Sequence, residues 1–261
     1  MQNRYVGDIG DFGKLGLLSA LCRALQGRTL TLGIVWYFVP DSSTSYLARS
    51  TSNERHYRPC DRPLYDKLQA IIEKRKKEER CVRDIQEAGI LAGDTVFYGR
   101  EVPSAENPRT EWLDKALRGT EHCDLVFLDP DNGIHPNDGR PDRKHASIEE
   151  IIKFAKRQRG EHSVIVYHHA GRKGKAKEQL CLQLERLRGA LHRNTFGFAF
   201  HGGNVRFFLI AAANPHRAIL VRRALDFARG PWCRQGLFDA PAWVDGRLLE
   251  EADAQAVTHA G

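Results

Sequence analysis

The sequence predicts an α/β protein with a mostly parallel sheet, helices on both of its faces and a late antiparallel hairpin. Short apolar runs alternate with amphipathic segments of helical length along most of the 261 residues. This order changes only near the end, where two apolar runs flank Gly202-Gly203-Asn204, a hairpin signal. An apolar fraction of 41% over this length can form one large core.

The first half of the chain predicts alternating helices and strands. Residues 15–25 have apolar side chains at helical spacing and are followed by Gly27, which predicts a helix that ends there. Residues 30–39 are apolar, β-branched and aromatic, as in a buried strand. The later elements predicted in this half are a loop insertion near 41–56, a helix over 63–77, a strand over 95–98, a helix over 109–117 and a strand over 125–128.

The second half adds a capping signal and a domain boundary. Ser147 with Glu150 matches a capping box, which predicts a helix through Lys156. Asn214-Pro215 predicts a last helix with Pro in its first turn. The other predicted elements are a strand over 163–167, a helix over 175–191 and strands over 196–201 and 205–211. One domain is therefore predicted over 1–230, with an irregular C-terminal extension over 231–261.

Charge and composition restrict the class of partner. The net charge is +7 and the pI is near 9.2, which favours a polyanion such as RNA or DNA. Arg172, Lys173 and Lys175 directly follow a predicted strand, so we expect them to contact phosphates. No stretch approaches the roughly 20 apolar residues of a membrane span, and the first residues lack a signal-peptide core. These features predict a cytoplasmic protein with no membrane partner.

The end of the strand over 125–128 is the most informative segment. It continues into Asp129-Pro130-Asp131-Asn132-Gly133, where Pro and Gly interrupt the strand and polar side chains follow. In open α/β sheets, ligands bind beyond the carboxyl ends of strands. We therefore expect Asp129 to point into a cleft, with Asp131 and Asn132 beside it. A simple tight turn is the alternative, since Asp-Pro and Asn-Gly both form turns.

A second candidate segment lies near the beginning of the chain. Asp8 and Asp11 flank Gly10 in a Gly-rich stretch, and glycine allows a ligand to approach the backbone closely. Lys14 follows and is suited to neutralise a carboxylate or phosphate. The alternatives are helix capping by Asp11 and a Lys14 that faces solvent.

The segment Gly7-Asp8-Ile9-Gly10-Asp11-Phe12-Gly13-Lys14 resembles the N-terminal signature of the large-subunit ribosomal RNA adenine-N6 methyltransferases. The order of elements is similar to their Rossmann-like class I methyltransferase fold, with residues 58–65 at the family's second strand and following helix. Asp129-Pro130 stands where that family has Asp-Pro-Pro-Tyr, although Asp131 and Asn132 replace the last two residues. The resemblance implies that Asp129 and the Pro130 carbonyl hold the target amine.

The same resemblance implies S-adenosylmethionine as the cofactor. Its expected binding residues are Asp8, Asp11, Lys14, Tyr37 and Asp41. His168 and His169 end a predicted strand, and a histidine there can act as general base near neutral pH. We expect His168 or Asp131 to remove a proton, and the other histidine to pack in the core.

Two other functions remain open from the sequence. In a metal-dependent nuclease or phosphodiesterase, magnesium or manganese would bind a set of carboxylates and one histidine: Asp8, Asp11, Asp129, Asp131 and His168. In a non-catalytic nucleic-acid-binding protein, the same scaffold would bind no cofactor.

Overall fold

The computed structural model describes residues 1–24, 27, 29–41, 54–76, 79–137, 141–157 and 160–243, and confirms an α/β architecture. The helices in this part of the chain are α1 Ile9–Cys22, α2 Glu54–Tyr57, α3 Arg62–Lys74, α4 Val82–Glu87, α5 Glu106–Gly119, α6 Ile148–Ala155, α7 Ala176–Leu191, α8 Asn214–Ala228 and α9 Pro231–Arg234. The strands are β1 Leu32–Trp36, β2 Val96–Tyr98, β3 Leu125–Asp129, β4 Gly133–Ile134, β5 His145–Ala146, β6 Lys156–Arg157, β7 Gly160–Glu161, β8 Ser163–His169, β9 Thr195–Phe200, β10 Arg206–Ala211 and β11 Ala242–Trp243.

Seven of these strands form the central sheet, in the order β11-β9-β10-β8-β3-β1-β2. The β2, β1, β3 and β8 strands are parallel neighbours, so their carboxyl ends meet at one edge of the sheet. The β10 strand runs antiparallel to both β8 and β9, and it therefore begins at that same edge. The register pairs Trp36 with Asp129, and His169 with Arg206. This edge is thus built from strand ends that lie far apart in the sequence.

Both faces of the sheet are buried, which explains the continuous apolar runs in its central strands. In β3, Leu125 and Phe127 pack into one core, whereas Val126 and Leu128 pack into the other. The first core contains the buried faces of α1, α3 and α8. The second contains those of α5, α6 and α7. The predicted capping box is present: Glu150 N donates to Ser147 Oγ at 3.1 Å, and α6 begins there.

The first helix begins at Ile9, six residues before the predicted start at residue 15. Three glycines lie within its first eight residues, and glycine is a poor helix former. Packing explains their presence, because a Cβ on Gly13 would lie 2.6 Å from Phe200, and one on Gly16 would lie 2.2 Å from Trp232. The helix therefore forms where close tertiary contact outweighs local propensity.

Three sequence predictions need correction or qualification. The segment compared with a second strand, residues 58–65, contains the end of a turn and the beginning of α3, and the second strand of the sheet is β2. The tail after Pro231 is not irregular throughout, because α9 and β11 form there and Trp232, Leu237 and Phe238 are buried. In the predicted insertion near 41–56, residues 42–53 lie outside the described residues. No helix in the described part combines the length and apolarity that a bilayer crossing requires.

Candidate active site

A polar cavity of about 250 Å³ opens at the carboxyl edge of the sheet. Its wall is formed by the first residues of the chain, the start of α1, the ends of β3 and β8, and the turn between β9 and β10. The charged side chains that line it are Arg4, Asp8, Lys14, Asp129, Asp131, Lys144 and Arg206. Both sequence-predicted segments, 7–14 and 129–133, therefore contribute to a single cavity.

Lys14 is a buried cation that lines this cavity. Its Nζ lies 3.0 Å from Asp129 Oδ2 and 3.4 Å from Asp11 Oδ1, and 4.5 Å from the centre of the Tyr167 ring. Burial disfavours its charged form, but the carboxylates of Asp129 and Asp11 outweigh that cost and raise the pKa of Lys14 above its usual value. The lysine is thus held as an ammonium that compensates two buried carboxylates, and it does not face solvent.

The two aspartates of the first segment have different roles. Asp8 caps α1, because its Oδ1 accepts from Asp11 N at 3.0 Å, so the cap is not Asp11. Asp11 is 1% exposed and accepts from Gly7 N at 3.0 Å. Burial raises the pKa of Asp11 to about 7, opposed by Lys14 and assisted by the charges of Asp8 and Asp129. Burial also raises the pKa of Asp8, against the opposing charges of Arg206 and Lys14. Of the pair, Asp8 lines the cavity.

The segment after β3 is both a turn and part of the cavity wall. Asp129 is 1% exposed, and its backbone oxygen accepts from Met1 N at 3.2 Å. Asp131 Oδ2 accepts from Gln2 Nε2 at 2.6 Å. Gly133 has a φ of +102°, and a Cβ there would lie 2.4 Å from His168 Nδ1, so only glycine fits this turn. The turn orients Asp129, Pro130, Asp131 and Asn132, all of which line the cavity.

The two histidines at the end of β8 lie on opposite faces of the sheet, as strand geometry requires. His168 is not among the residues that line the cavity: its Nδ1 accepts from Ile134 N at 2.9 Å, and its ring stacks on Phe207. His169 lines the cavity. Burial lowers the pKa of His168 to about 4 and that of His169 to about 3, with Arg206 and Lys14 adding to the effect at His169. The geometry therefore does not support His168 as the general base.

Like Asp11, Tyr37 and Asp41 were expected to bind the cofactor but do not line this cavity. Tyr37 is fully buried in the second core, where its hydroxyl donates to Glu150 Oε2 at 3.4 Å and its ring meets Trp112 edge-on. Asp41 is exposed and accepts from Arg4 N at 3.3 Å. Burial raises the pKa of Tyr37 well above its usual value, and the charge of Glu150 adds to this.

The predicted phosphate-binding residues Arg172, Lys173 and Lys175 are exposed in the loop between β8 and α7. They do not line the cavity, but β8 leads from the cavity wall directly into this loop. Sequence reasoning missed several residues of the wall, namely Gln2, Arg4, Lys144, Asn204 and Arg206. Only the Gly-Gly-Asn turn gave a signal, because the antiparallel hairpin returns Arg206 to the edge where β8 ends.

Neither a cluster of metal ligands in the described residues nor a match to a known protein assigns a function to this cavity. Among the described residues, no three His, Cys, Asp or Glu side chains are grouped to hold a metal ion. The five residues expected to form a metal site are not brought together, since His168 lies across the sheet. Comparison with models of protein families and with curated proteins finds no match to this chain.

Proposed function

We propose that this protein is an S-adenosylmethionine-dependent, methyltransferase-like enzyme that acts on nucleic acid. The observation that carries the proposal is the shared cavity at the carboxyl edge, where Asp129-Pro130 meets the start of α1 and Lys14. The sequence resembles amino-methyltransferases in both of these segments. The antiparallel β10 between β8 and β9 supports the proposal, because the resemblance implies a terminal antiparallel hairpin.

The charges of the cavity wall fit the amino-acid end of the proposed cofactor. That group carries one carboxylate and one ammonium, and the wall offers partners of both signs: Asp8 and Asp131 as anions, Arg4, Lys144 and Arg206 as cations. Glu101 follows β2 and forms a parallel β-bridge with Phe38 just after β1, but it does not line this cavity. In the structure Glu101 is paired with Arg143. Tyr37 and Asp41 are not part of this assignment.

When bound, the cofactor would supply an electrophilic methyl group. The Asp129 carboxylate and the Pro130 carbonyl accept hydrogen bonds from the target amine and hold it in position. Lys14 fixes the orientation of Asp129 through their 3.0 Å ion pair. Asp131 lines the same wall and accepts the proton that the amine releases, whereas His168, the other residue expected to remove it, does not line the cavity.

The alternative of a metal-dependent nuclease has less support. The ammonium of Lys14 lies within 3.4 Å of both Asp11 and Asp129, so it already occupies the position in which a divalent cation would bridge them. A metal ion would have to displace a buried lysine whose pKa is raised by these carboxylates. Asp11 and Asp129 are therefore already compensated by Lys14 without a metal.

Cofactor binding and methyl transfer test the proposal separately. Calorimetric titration with S-adenosylmethionine and with its demethylated product should release heat, and labelled methyl groups should be transferred to RNA or DNA. Asp129→Asn should lower turnover by about a hundredfold or more, as for loss of one well-placed polar group at a reacting centre. Asp114→Asn, on the exposed face of α5, is the matched control and should retain full turnover.

The melting temperature of each variant is measured beside turnover, because Asp129 is buried and paired with Lys14. Titration with magnesium and manganese completes the comparison. Absence of cofactor binding together with binding of a divalent metal would reject the methyltransferase proposal in favour of the nuclease. A stable Asp129→Asn variant with unchanged turnover would move the reacting centre away from Asp129.

A further inference from the structure

We infer that Gln179 is a positioning residue that holds the loop over residues 171–175 as a docking site for the phosphate backbone of nucleic acid. The inference rests on the proposed function for the identity of the partner, and it adds a residue and a mechanism to it. We call residues 171–175 the basic loop; Arg172, Lys173 and Lys175 are its cations.

One side chain organises the whole basic loop. Gln179 lies in the first turn of α7, and its Oε1 accepts from Gly171 N at 2.7 Å. Its Nε2 donates to Lys173 O at 2.8 Å, Gly174 O at 3.2 Å and Gly171 O at 3.3 Å. The amide orientation is unambiguous, because a backbone N–H requires the oxygen and the carbonyls require the nitrogen. Gln179 thus ties both ends of the loop to the helix.

The basic loop has no apolar anchor of its own. All five of its residues are exposed, and Gly174 has a φ of +83°, a conformation that glycine tolerates. A loop without buried side chains depends on hydrogen bonds for its shape. The four contacts of Gln179 therefore supply order that the core of the protein does not.

The cations of the basic loop point to an anionic partner. Lys175 lies 3.7 Å from Glu178, whereas Arg172 and Lys173 make no ion pair with another described residue. An exposed pair such as Lys175–Glu178 contributes little and gives way readily to a stronger anion. Several cations held in one conformation favour a polyanion, and successive phosphates of a nucleic acid present such a row of charges.

The loop adjoins the cavity. His169 lines the cavity, and Ala170 N donates to Val205 O at 3.0 Å, beside Arg206 of the same wall. Three residues span at most about 11 Å, so Arg172 lies within that distance of His169 along the backbone. A strand with one nucleotide in the cavity therefore brings its neighbouring phosphates within reach of the basic loop.

Gln179→Met separates the order of the loop from its charge. Methionine has a similar size and removes all four hydrogen bonds, but every cation remains. Binding must then order a mobile loop, which reduces affinity without removing phosphate contacts. Gln183→Met is the matched control, since Gln183 lies one turn further along α7. Neutralising Arg172, Lys173 and Lys175 to glutamine tests the charge itself.

Binding is measured by fluorescence anisotropy with short fluorescein-labelled single-stranded RNA and DNA of mixed sequence. We expect Gln179→Met to weaken binding by about tenfold. The slope of log K against log salt should change by less than the value for one phosphate contact, about 0.7 to 0.9. The triple glutamine variant should flatten that slope by about 0.7 to 0.9 per lost contact. Gln183→Met should bind like the parent. Trypsin should cut the basic loop faster in Gln179→Met, and bound oligonucleotide should protect the parent loop.

The outcomes distinguish this inference from the proposed function. Parental affinity in Gln179→Met with a flattened slope in the triple variant would reject the role of Gln179 and leave nucleic-acid binding at the loop. A parental salt slope in the triple glutamine variant would reject the loop as the docking site. Failure of the parent protein to bind any oligonucleotide would reject the partner itself, and with it this part of the proposed function. Calorimetry with S-adenosylmethionine on Gln179→Met checks that the cavity is intact.

Discussion

Lys14 forms ion pairs with two buried carboxylates at the cavity. It compensates Asp11 and Asp129, and all three are buried. Breaking a buried ion pair by removing one partner costs about 3–5 kcal/mol, because an uncompensated charge remains. Lys14→Met should therefore lower the free energy of unfolding by about that amount in urea titrations.

Lys115→Met provides the comparison for that measurement. Lys115 forms an exposed pair with Glu111 on α5, at 3.7 Å. Such pairs contribute about 0.3–0.5 kcal/mol, so this variant should be close to the parent. Equal effects of the two substitutions would mean that the ion pairs of Lys14 do not stabilise the fold.

The raised pKa of Asp11 should make the stability of the protein depend on pH. Its carboxyl pKa is about 7 in the folded protein, against 3.8 in the reference state. Between these values the folded state holds a proton that the unfolded state has released. The contribution of Asp11 to the free energy of unfolding is therefore largest below about pH 4, and it decreases as pH rises towards 7. Asp11→Asn should remove this decrease in denaturation curves recorded across that range. A parent and a variant with parallel pH profiles would contradict the raised pKa.

The histidines of β8 predict a dependence of opposite sign. His168 and His169 have lowered pKa values, about 4 and 3, against 6.5 in the reference state. The unfolded state binds more protons below pH 6.5, so stability is lost as pH falls from about 6.5 towards these values. His169→Gln should reduce the acid-induced loss in melting temperature, whereas His122→Gln, at an exposed position, should not. A loss in His169→Gln equal to that of the parent would show that His169 is not buried as a neutral ring.

At the scale of elements, α1 and α7 contain glycines in opposite environments. A Cβ on Gly16 would lie 2.2 Å from Trp232, whereas no heavy atom lies within 4 Å of one on Gly189. Gly16→Ala should destabilise the protein by about 1–3 kcal/mol through overpacking. Gly189→Ala should stabilise it by about 0.5–1 kcal/mol through helix propensity. Chemical denaturation of both variants gives the comparison, and a stabilised Gly16→Ala would show that α1 does not pack closely on Trp232.

The elements also show what the sequence can predict. The apolar run of β3 and the capping box of α6 are local signals, and both elements form where they were predicted. The early start of α1 is not a local property, because its glycines are explained by Phe200 and Trp232 far along the chain. Likewise, the sequence does not distinguish the adjacent histidines His168 and His169. The alternation of side chains along β8 places His169 in the cavity wall and His168 against Phe207. Charged wall residues such as Arg4 and Lys144 have no motif at all.

At the scale of the whole molecule, the two edges of the sheet differ in character. Near the amino ends of β3 and β8, Ser163 Oγ lies 3.2 Å from His216 Nδ1, and His216 Nε2 lies 3.4 Å from Asp124. These are the residue types of a nucleophilic triad, but Ser163 is fully buried and accepts from Ala213 N at the start of α8. This network closes one edge and anchors α8, whereas the cavity opens at the other edge.

The C-terminal boundary gives a prediction for the molecule as a whole. The sequence predicts a domain over 1–230, yet Trp232, Leu237 and Phe238 are buried and β11 pairs with β9. Each buried side chain of this size contributes about 1.5–3 kcal/mol, and total stability is only about 5–15 kcal/mol. A chain that ends at residue 230 should therefore melt far below the parent or lack a cooperative transition, while one that ends at residue 243 retains every described contact. Thermal unfolding of both truncated chains tests this. A cooperative transition near the parental temperature in the shorter chain would show that the domain ends at residue 230 and that Trp232, Leu237 and Phe238 pack on a core that is stable without them.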